Sequence, residues 1–220
     1  MMRTNPAPAD STACLVSPVI SPSYLSPGEP LRLGILASGN GSNFEAVAFA
    51  IASGKLNAKI QVLLYNNPEA KVAVRATNWD VPAVLLNHRN FQSREDLDRE
   101  IVRTLQQYQV EWVVMAGWMR IVTPVLIDAF PNQIINIHPS LLPSFKGVRA
   151  IEQALAAGVK IAGCTVHLVA PEVDSGVILL QAAVPVLADD TAETLHDRIQ
   201  EQEHRILPQA IALAARDRLG

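Results

Sequence analysis

Short apolar segments alternate with segments of helical character along most of this chain, and this alternation limits the folds that it can adopt. The pattern predicts strands at Leu31–Ala37, 60–65, 83–86, 112–116 and 134–137, and helices at 44–53, 70–79, 93–107 and 149–157. Strands joined through helices form parallel sheets that are covered on both faces. The sequence therefore predicts an α/β fold with a doubly wound, mostly parallel sheet.

The last part of the chain breaks this alternation. Two predicted strands, 164–169 and 177–186, follow each other with no helix between them, and a closing helix runs from Thr191 to the C-terminus. Consecutive strands joined by a short loop pair in the antiparallel sense. We therefore expect antiparallel edge strands near the C-terminus of the sheet.

Size and composition favour one substantial domain. The chain has 220 residues, of which 49% are hydrophobic and 18% charged, and its formal net charge is −3. A chain of this length supports one large core, and its charge offers no basic field to a nucleic-acid backbone. The sequence lacks both a run of about 20 apolar residues that could span a membrane and a secretory pattern at its start.

The two cysteines, Cys14 and Cys164, lie far apart in the sequence and form no C-x-x-C pair. This usage argues against a disulfide framework and against a zinc site. We therefore expect a cytoplasmic protein that binds no metal, no nucleic acid and no membrane.

The first 30 residues differ in composition from the rest. They contain six prolines among scattered serines and threonines, with little periodic apolar pattern. The sequence therefore predicts a flexible tail over 1–30 and a folded domain over 31–220.

The segment from Asn136 to Pro143, of sequence NIHPSLLP, places an amide and an imidazole at the end of an apolar strand. Pro139 cannot extend the strand, and residues two apart on a strand point to one face. Active sites of open α/β sheets form at the carboxyl ends of the strands. Asn136 and His138 therefore suit acyl chemistry, in which one group donates to an oxygen and the other moves a proton. The plainer alternative is a turn cap and a buried histidine.

A later polar loop, of sequence PEVDSG, contains Asp174. A loop aspartate usually forms a turn, but a carboxylate beside an imidazole stabilises the cationic ring, which can then stabilise an oxyanion. His167 precedes this loop. It either supports the same group or is an ordinary edge-strand histidine, and the sequence does not separate the two.

The first strand opens into a glycine-rich loop, SGNGSN, at residues 38–43. Backbone N–H groups at the start of a helix suit a phosphate, and glycine lets the backbone come close. Phe44 stands where the dinucleotide fingerprint has its third glycine, and no Gly-Lys-Ser/Thr follows. A monophosphate site is thus favoured, with a plain turn capped by Asn43 as the alternative.

The segment GWMR follows the strand at 112–116 and should border the same cleft. Trp118 and Met119 could contact an aromatic ring system, and Arg94 and Arg120 could bind carboxylates. Glu203 on the closing helix could reach sugar hydroxyls. Each of these residues, taken alone, is more typical of packing or of a solvated surface.

The sequence lacks the residues that covalent or metal-dependent acyl transfer would need. The sequence contains no G-x-S-x-G nucleophile elbow, no H-E-x-x-H or paired-cysteine metal pattern, and no cysteine near His138. Direct, non-covalent acyl transfer remains.

These segments, in this order and spacing, resemble the folate-dependent formyltransferases, and among them the glycinamide ribonucleotide transformylases of purine synthesis. The resemblance extends from Leu31 to about Pro208. It implies a Rossmann-like fold, a formyl transfer from 10-formyltetrahydrofolate to glycinamide ribonucleotide, and a monomer or homodimer without metal.

The resemblance also implies roles for single residues. The catalytic trio corresponds to Asn136, His138 and Asp174, and the substrate-binding positions correspond to Gly41, Ser42, Asn43, Met119 and Glu203. The folate-binding positions correspond to Arg94, Arg120, Ile121 and Val122.

Two relatives and one other class remain as alternatives. Residues 144–150 are closer to formyltetrahydrofolate deformylase, which directs water at the formyl group, but that enzyme typically has a second histidine at the position of Pro139 and carries an N-terminal regulatory domain. Methionyl-tRNA formyltransferase carries a C-terminal RNA-binding domain. A binding module without activity would be expected to lose one of the trio. We therefore expect the transformylase.

Overall fold

A single mixed sheet of eight strands organises residues 14–19 and 29–217, which are the residues described by this computed structural model. In chain order the strands are β1 (Leu15–Ser17), β2 (Leu31–Ala37), β3 (Ala58–Tyr65), β4 (Ala83–Leu85), β5 (Trp112–Met115), β6 (Ile134–His138), β7 (Ile161–Leu168) and β8 (Ile178–Pro185). Their spatial order is β1-β8-β7-β6-β5-β2-β3-β4. Strands β2 to β6 pair in parallel, and β7, β8 and β1 add to β6 in the antiparallel sense. The predicted fold class is confirmed.

The helices cover both faces of this sheet. They are α1 (Ser42–Ala52), α2 (Val72–Asn78), α3 (Arg94–Gln107), α4 (Pro124–Ala129), α5 (Ala150–Ala156) and α6 (Ala192–Asp217), with a 3₁₀ turn at His88–Asn90. The sequence did not predict α4 or the 3₁₀ turn, because elements of one or two turns are too short to show helical periodicity. None of the helices in the described part of the chain combines the length and the apolar composition needed to cross a membrane.

Strand β2 shows why the sheet is buried on both faces. Leu33 and Ile35 point into one apolar layer, where they pack with the helices α1 and α6, whereas Leu36 points into the opposite layer with α3 and α4. All three side chains are fully buried. A parallel strand covered by helices on both faces is apolar at successive positions rather than at alternate ones.

One part of the predicted tail belongs to the sheet. Strand β1 pairs with β8, with Val16 opposite Ala182, and the thiol of Cys14 donates to the side-chain carbonyl of Gln202 on α6 at 3.0 Å. For these residues the prediction of a flexible tail is wrong, because an apolar run of three is too short to register as a strand until an edge offers it backbone partners. The remainder of the predicted tail, 1–13 and 20–28, lies outside the described residues.

Candidate active site

The candidate active site lies where the sheet changes from parallel to antiparallel pairing. Strand β6 pairs in parallel with β5 on one side and in the antiparallel sense with β7 on the other. In this register Asn136 lies opposite His167, and His138 lies opposite Thr165. The change in direction therefore places polar side chains from two strands, with opposite chain directions, on one patch of the sheet.

The structure brings the three predicted catalytic residues together. The Nδ1 atom of His138 lies 3.3 Å from an oxygen of Asp174, and both side chains are only 8% exposed. Asn136 precedes His138 by two residues on the same strand and lines the same cavity. Although Asp174 follows much later in the sequence, the loop between β7 and β8 returns it to the end of β6.

His138 is held by a second contact that the sequence did not predict. Its Nε2 atom lies 2.9 Å from the backbone carbonyl of Phe145. Because a carbonyl oxygen can only accept, Nε2 is the nitrogen that carries a proton. The Nδ1 atom faces Asp174. It is therefore the ring atom that can take up or release a proton in the cavity.

The segment between β6 and α5 also holds the aspartate. The backbone N–H of Gly147 donates to Asp174 Oδ2 at 2.8 Å, and Lys146 pairs with Glu172 at 3.1 Å. The segment 144–150 thus contacts both His138, through the Phe145 carbonyl, and Asp174, through the Gly147 N–H.

His167, which the sequence left undecided, belongs to this polar group. It is 2% exposed, and its Nδ1 donates to the carbonyl of Leu168 at 2.8 Å. Its Nε2 lies 3.1 Å from the amide nitrogen of Asn136 and 3.6 Å from Asp174 Oδ1. A neutral ring accepts from the amide, whereas a protonated ring donates to the carboxylate, so this one nitrogen connects two members of the trio.

These contacts set the ionisation of Asp174. Burial by itself would raise the pKa of this carboxyl. The contact with His167 and the hydrogen bond from the Gly147 N–H, together with the charge of His138, outweigh that effect and lower the pKa below its usual value. Asp174 is therefore a carboxylate at neutral pH, and one of its oxygens faces His138.

The glycine-rich loop forms the other end of the site. Gly41 precedes α1 with φ at +78°, and no side chain caps this helix, so Asn43 does not have the capping role considered as the plain alternative. The Asn43 amide instead donates to Glu203 on α6 at 2.8 Å. Within the described residues, the N–H groups of the first turn thus have no side-chain partner, as an anion site requires.

Two buried polar side chains lie beside this loop. Asn43 is 8% exposed, and its Oδ1 atom has no hydrogen-bond partner among the described residues. Glu203 is 6% exposed. Burial raises the pKa of its carboxyl, against the lowering effects of the Asn43 amide and the charge of His196. A buried amide oxygen without a partner beside a helix N-terminus is typical of a ligand site.

A cavity of about 740 Å³ connects the two ends. Of the residues proposed from the sequence, its lining includes Gly41, Ser42, Asn43, Met119, Arg120, Ile121, Val122, Asn136, His138, Asp174 and Glu203. Its size is in the range of small-molecule sites. No group of three or more His, Cys, Asp or Glu side chains within 14–19 and 29–217 is arranged to hold a metal ion.

The predicted folate contacts are less uniform. Ile121 is exposed at 54%, Val122 is buried, and the Nε atom of Arg120 is buried without a partner among the described residues. Met119, which was predicted to bind the ribonucleotide, is exposed at 77%. Arg94 is exposed at the start of α3 and does not line the cavity. The role of Arg94 stays a prediction from the resemblance.

Sequence reasoning missed two residues of α6 that line the cavity, His196 and Gln200. They precede Glu203 at helical spacings of seven and three residues, so all three side chains share one face of α6. Once Glu203 was proposed, this spacing was the signal that could have found them.

Comparisons with known proteins agree with this geometry. The family model described as formyl transferase matches residues 31–211. The chain is 38% identical to phosphoribosylglycinamide formyltransferase of Bacillus subtilis, over 82% of this chain and 92% of that protein. It is 40% identical to the trifunctional purine biosynthetic protein adenosine-3 of Gallus gallus, but spans only 18% of that protein's length.

Solved structures show the same likeness. The crystal structure of glycinamide ribonucleotide transformylase 1 from Symbiobacterium toebii superposes with a TM-score of 0.85 at 45% identity, and the match covers 87% of this chain and 91% of that one. The family model matches most of this chain, and the chain covers almost the whole length of the Bacillus subtilis and Symbiobacterium toebii proteins. This chain therefore belongs to the formyl transferase family.

Proposed function

We propose that this protein transfers the formyl group of 10-formyltetrahydrofolate to the amine of glycinamide ribonucleotide, giving formylglycinamide ribonucleotide and tetrahydrofolate in purine synthesis. The observation that carries the proposal is the convergence, in one cavity, of Asn136, His138 and Asp174 with a glycine-rich anion loop. Acyl transfer needs the first group, and a phosphorylated acceptor needs the second.

The ribonucleotide binds at the loop end of the cavity. Its phosphate accepts from the backbone N–H groups of Gly41, Ser42 and Asn43 at the start of α1. The ribose hydroxyls reach Glu203, whose carboxylate and whose partner Asn43 are buried beside the loop. The glycinamide amine then extends along the cavity toward the end of β6, past Met119.

The folate binds along the segment that follows β5. Ile121, Val122 and the partly unsatisfied guanidinium of Arg120 line this side of the cavity. Apolar side chains contact the ring system, and a guanidinium suits carboxylate or carbonyl oxygens. The formyl group on N10 is thereby presented to the trio.

The reaction proceeds by direct attack. The amine nitrogen of the ribonucleotide forms a bond to the formyl carbon, and the carbonyl oxygen becomes an oxyanion. The Asn136 amide and the positive charge of the His138 imidazolium stabilise this charge. The bond from the carbon to N10 then breaks, the amine loses a proton, and N10 gains one, so that atoms and charges balance.

Asp174 supports the proton transfers. Its lowered pKa keeps it ionised, and it lies 3.3 Å from His138 Nδ1, the one ring nitrogen that Phe145 leaves free. The carboxylate therefore stabilises an imidazolium as the oxyanion forms, and it can take the proton of the attacking amine through a water molecule.

The names of the relatives favour the transferase over hydrolysis. The Bacillus subtilis and Symbiobacterium toebii proteins are named as a phosphoribosylglycinamide formyltransferase and a glycinamide ribonucleotide transformylase. We therefore assign ribonucleotide, rather than water, as the formyl acceptor of this chain.

The test is tetrahydrofolate release from 10-formyltetrahydrofolate by the purified protein, measured with and without glycinamide ribonucleotide. Release that depends on the ribonucleotide is expected. Equal release without it would make water the acceptor, as in a deformylase, and no release in either case would return the chain to a binding role.

A further inference from the structure

Helix α2 contacts the glycine-rich loop, although no residue of α2 lines the cavity. The backbone N–H of Val72 donates to the Gly39 carbonyl at 3.1 Å. A Cβ atom at Gly41 would lie 2.4 Å from a methyl group of Val72 and 3.0 Å from its Cα. The start of α2 is therefore packed directly under the loop.

Arg75, one turn further along α2, makes the most specific of these contacts. Its Nε donates to the backbone carbonyl of Asn40 at 2.8 Å, and its Nη2 contacts Asn40 Oδ1 at 3.3 Å. Its Nη1 pairs with Glu45 in the first turn of α1. The Arg75 guanidinium thus connects the glycine-rich loop, helix α1 and helix α2.

We propose that Arg75 is a positioning residue for phosphate binding, an inference that rests on the proposed function. The guanidinium orients the Asn40 peptide and thereby the N–H groups of Gly41, Ser42 and Asn43, without itself touching the ligand. A planar guanidinium fixes two acceptors and a carboxylate at once, whereas a lysine ammonium is a point charge that cannot reproduce this arrangement.

The exposure of Arg75 and Glu45 indicates that their ion pair contributes little to folding. The side chains of Arg75 and Glu45 are 28% and 44% exposed, and ion pairs that are this open to solvent add little to the free energy of unfolding. Loss of the guanidinium should therefore leave the fold intact and loosen only the loop.

The test compares Arg75→Met with Arg103→Met. Arg103 pairs with Glu100, one turn earlier on the surface of α3, and it does not line the cavity. Methionine keeps an unbranched apolar stem and removes the guanidinium in both cases. We expect the KM for glycinamide ribonucleotide to rise about tenfold in Arg75→Met, with kcat within about twofold, and no change in Arg103→Met.

A phosphate-free acceptor, glycinamide ribonucleoside, gives the decisive readout. Arg75→Met and the unmodified protein should use it with equal kcat/KM, because the loop then has no phosphate to bind. An equal loss with both acceptors would mean a general structural defect, and an unchanged KM for the ribonucleotide would mean a surface ion pair only; either result overturns the proposal. Arg75→Lys should not restore the KM.

Calorimetry separates this inference from the proposed function. Binding of glycinamide ribonucleotide by the unmodified protein, with weaker binding by Arg75→Met in the absence of folate, supports both. Equal binding by the two proteins overturns the role of Arg75 and leaves the proposed function standing. No binding by the unmodified protein overturns both.

Discussion

The two ends of the cavity are built in different ways. At the trio, side chains from β6, β7 and the loop before β8 contact one another, and each comes from a different part of the sequence. At the glycine-rich loop, the groups that we propose to face the ligand are backbone N–H groups from one continuous segment, and side chains such as Val72 and Arg75 contact that segment from behind. In the proposed reaction the first end moves protons, whereas the second end only binds a charged group.

This difference predicts how the two ends respond to mutation. At the catalytic end, changes should lower kcat and leave ribonucleotide binding intact. At the loop end, changes should raise KM and leave kcat largely intact. Four substitutions, taken from the largest expected effect to the smallest, can break or sharpen the comparison.

His138→Ala should lower kcat about 10³-fold, because it removes the imidazolium that stabilises the oxyanion. Calorimetry should give an unchanged affinity for glycinamide ribonucleotide. His88→Ala is the control, since His88 contacts the Asn66 carbonyl and does not line the cavity. A large loss of ribonucleotide binding in His138→Ala would contradict the division between the two ends.

Asp174→Asn should lower kcat about 10²-fold, because the carboxylate no longer supports the imidazolium. The lowered pKa of Asp174 also predicts how the free energy of unfolding depends on pH. A carboxyl with a folded pKa below the unfolded value contributes stability that is fully present above the unfolded pKa, about 3.9, and is lost as pH falls through the folded pKa.

Denaturant titrations across pH check this sign. The free energy of unfolding of the unmodified protein should exceed that of Asp174→Asn at pH 6, and the difference should shrink below about pH 4. Asp197→Asn, at an exposed position of α6, should show no such dependence. A difference that grows on acidification would mean that the carboxyl is held protonated.

Gly41→Ala should raise the KM for the ribonucleotide about tenfold, which corresponds to about 1.4 kcal/mol of lost binding. The new Cβ would meet Val72, and φ at +78° disfavours a side chain. Gly54→Ala is a matched control at the other end of α1, with φ at +69° and nothing within 4 Å. Equal kinetic effects in the two variants would show that backbone strain alone, and not the contact with α2, matters.

Glu203→Gln should have the smallest kinetic effect, a KM raised about threefold, and should raise the melting temperature at pH 7. Burial raises the pKa of this carboxyl, so its stability contribution is lost as pH rises from the unfolded toward the folded pKa, and the ionised group is a cost at neutral pH. Relief of about 1 kcal/mol would shift the midpoint by about 2–4 °C.

Thermal unfolding at pH 7 and pH 4 checks this last prediction. The gain from Glu203→Gln should be smaller at pH 4, and Glu201→Gln, on the exposed side of α6, should change neither midpoint. A lower melting temperature for Glu203→Gln at pH 7 would show that the hydrogen bond from Asn43 outweighs the cost of burial.

Local sequence patterns predicted much of this fold. Strand β2 was predicted with its observed bounds, and the two-residue period that places Asn136 and His138 on one face needs no tertiary information. The glycine-rich loop was likewise recognisable from its own sequence. These features depend on neighbours in sequence, and backbone geometry relates such neighbours directly.

Contacts across the fold were not predictable in the same way. His167 reaches the trio only because β7 pairs with β6 in one register, and a shift by one residue would turn it to the other face. The carbonyl of Phe145 and the N–H of Gly147 carry no side-chain signal, since every residue has them. Strand β1 needed the free edge of β8.

By itself, the sequence determined the α/β class, the order of most strands and helices, and the two motifs that provide the candidate chemistry. Only the tertiary structure decided which nitrogen of His138 faces Asp174, what lowers the pKa of Asp174, and that Arg75 contacts the loop. The physical reason is that periodicity and turn chemistry act between residues close in the chain. Hydrogen bonds, burial and charge act between residues close in space, and only the folded chain makes those pairs.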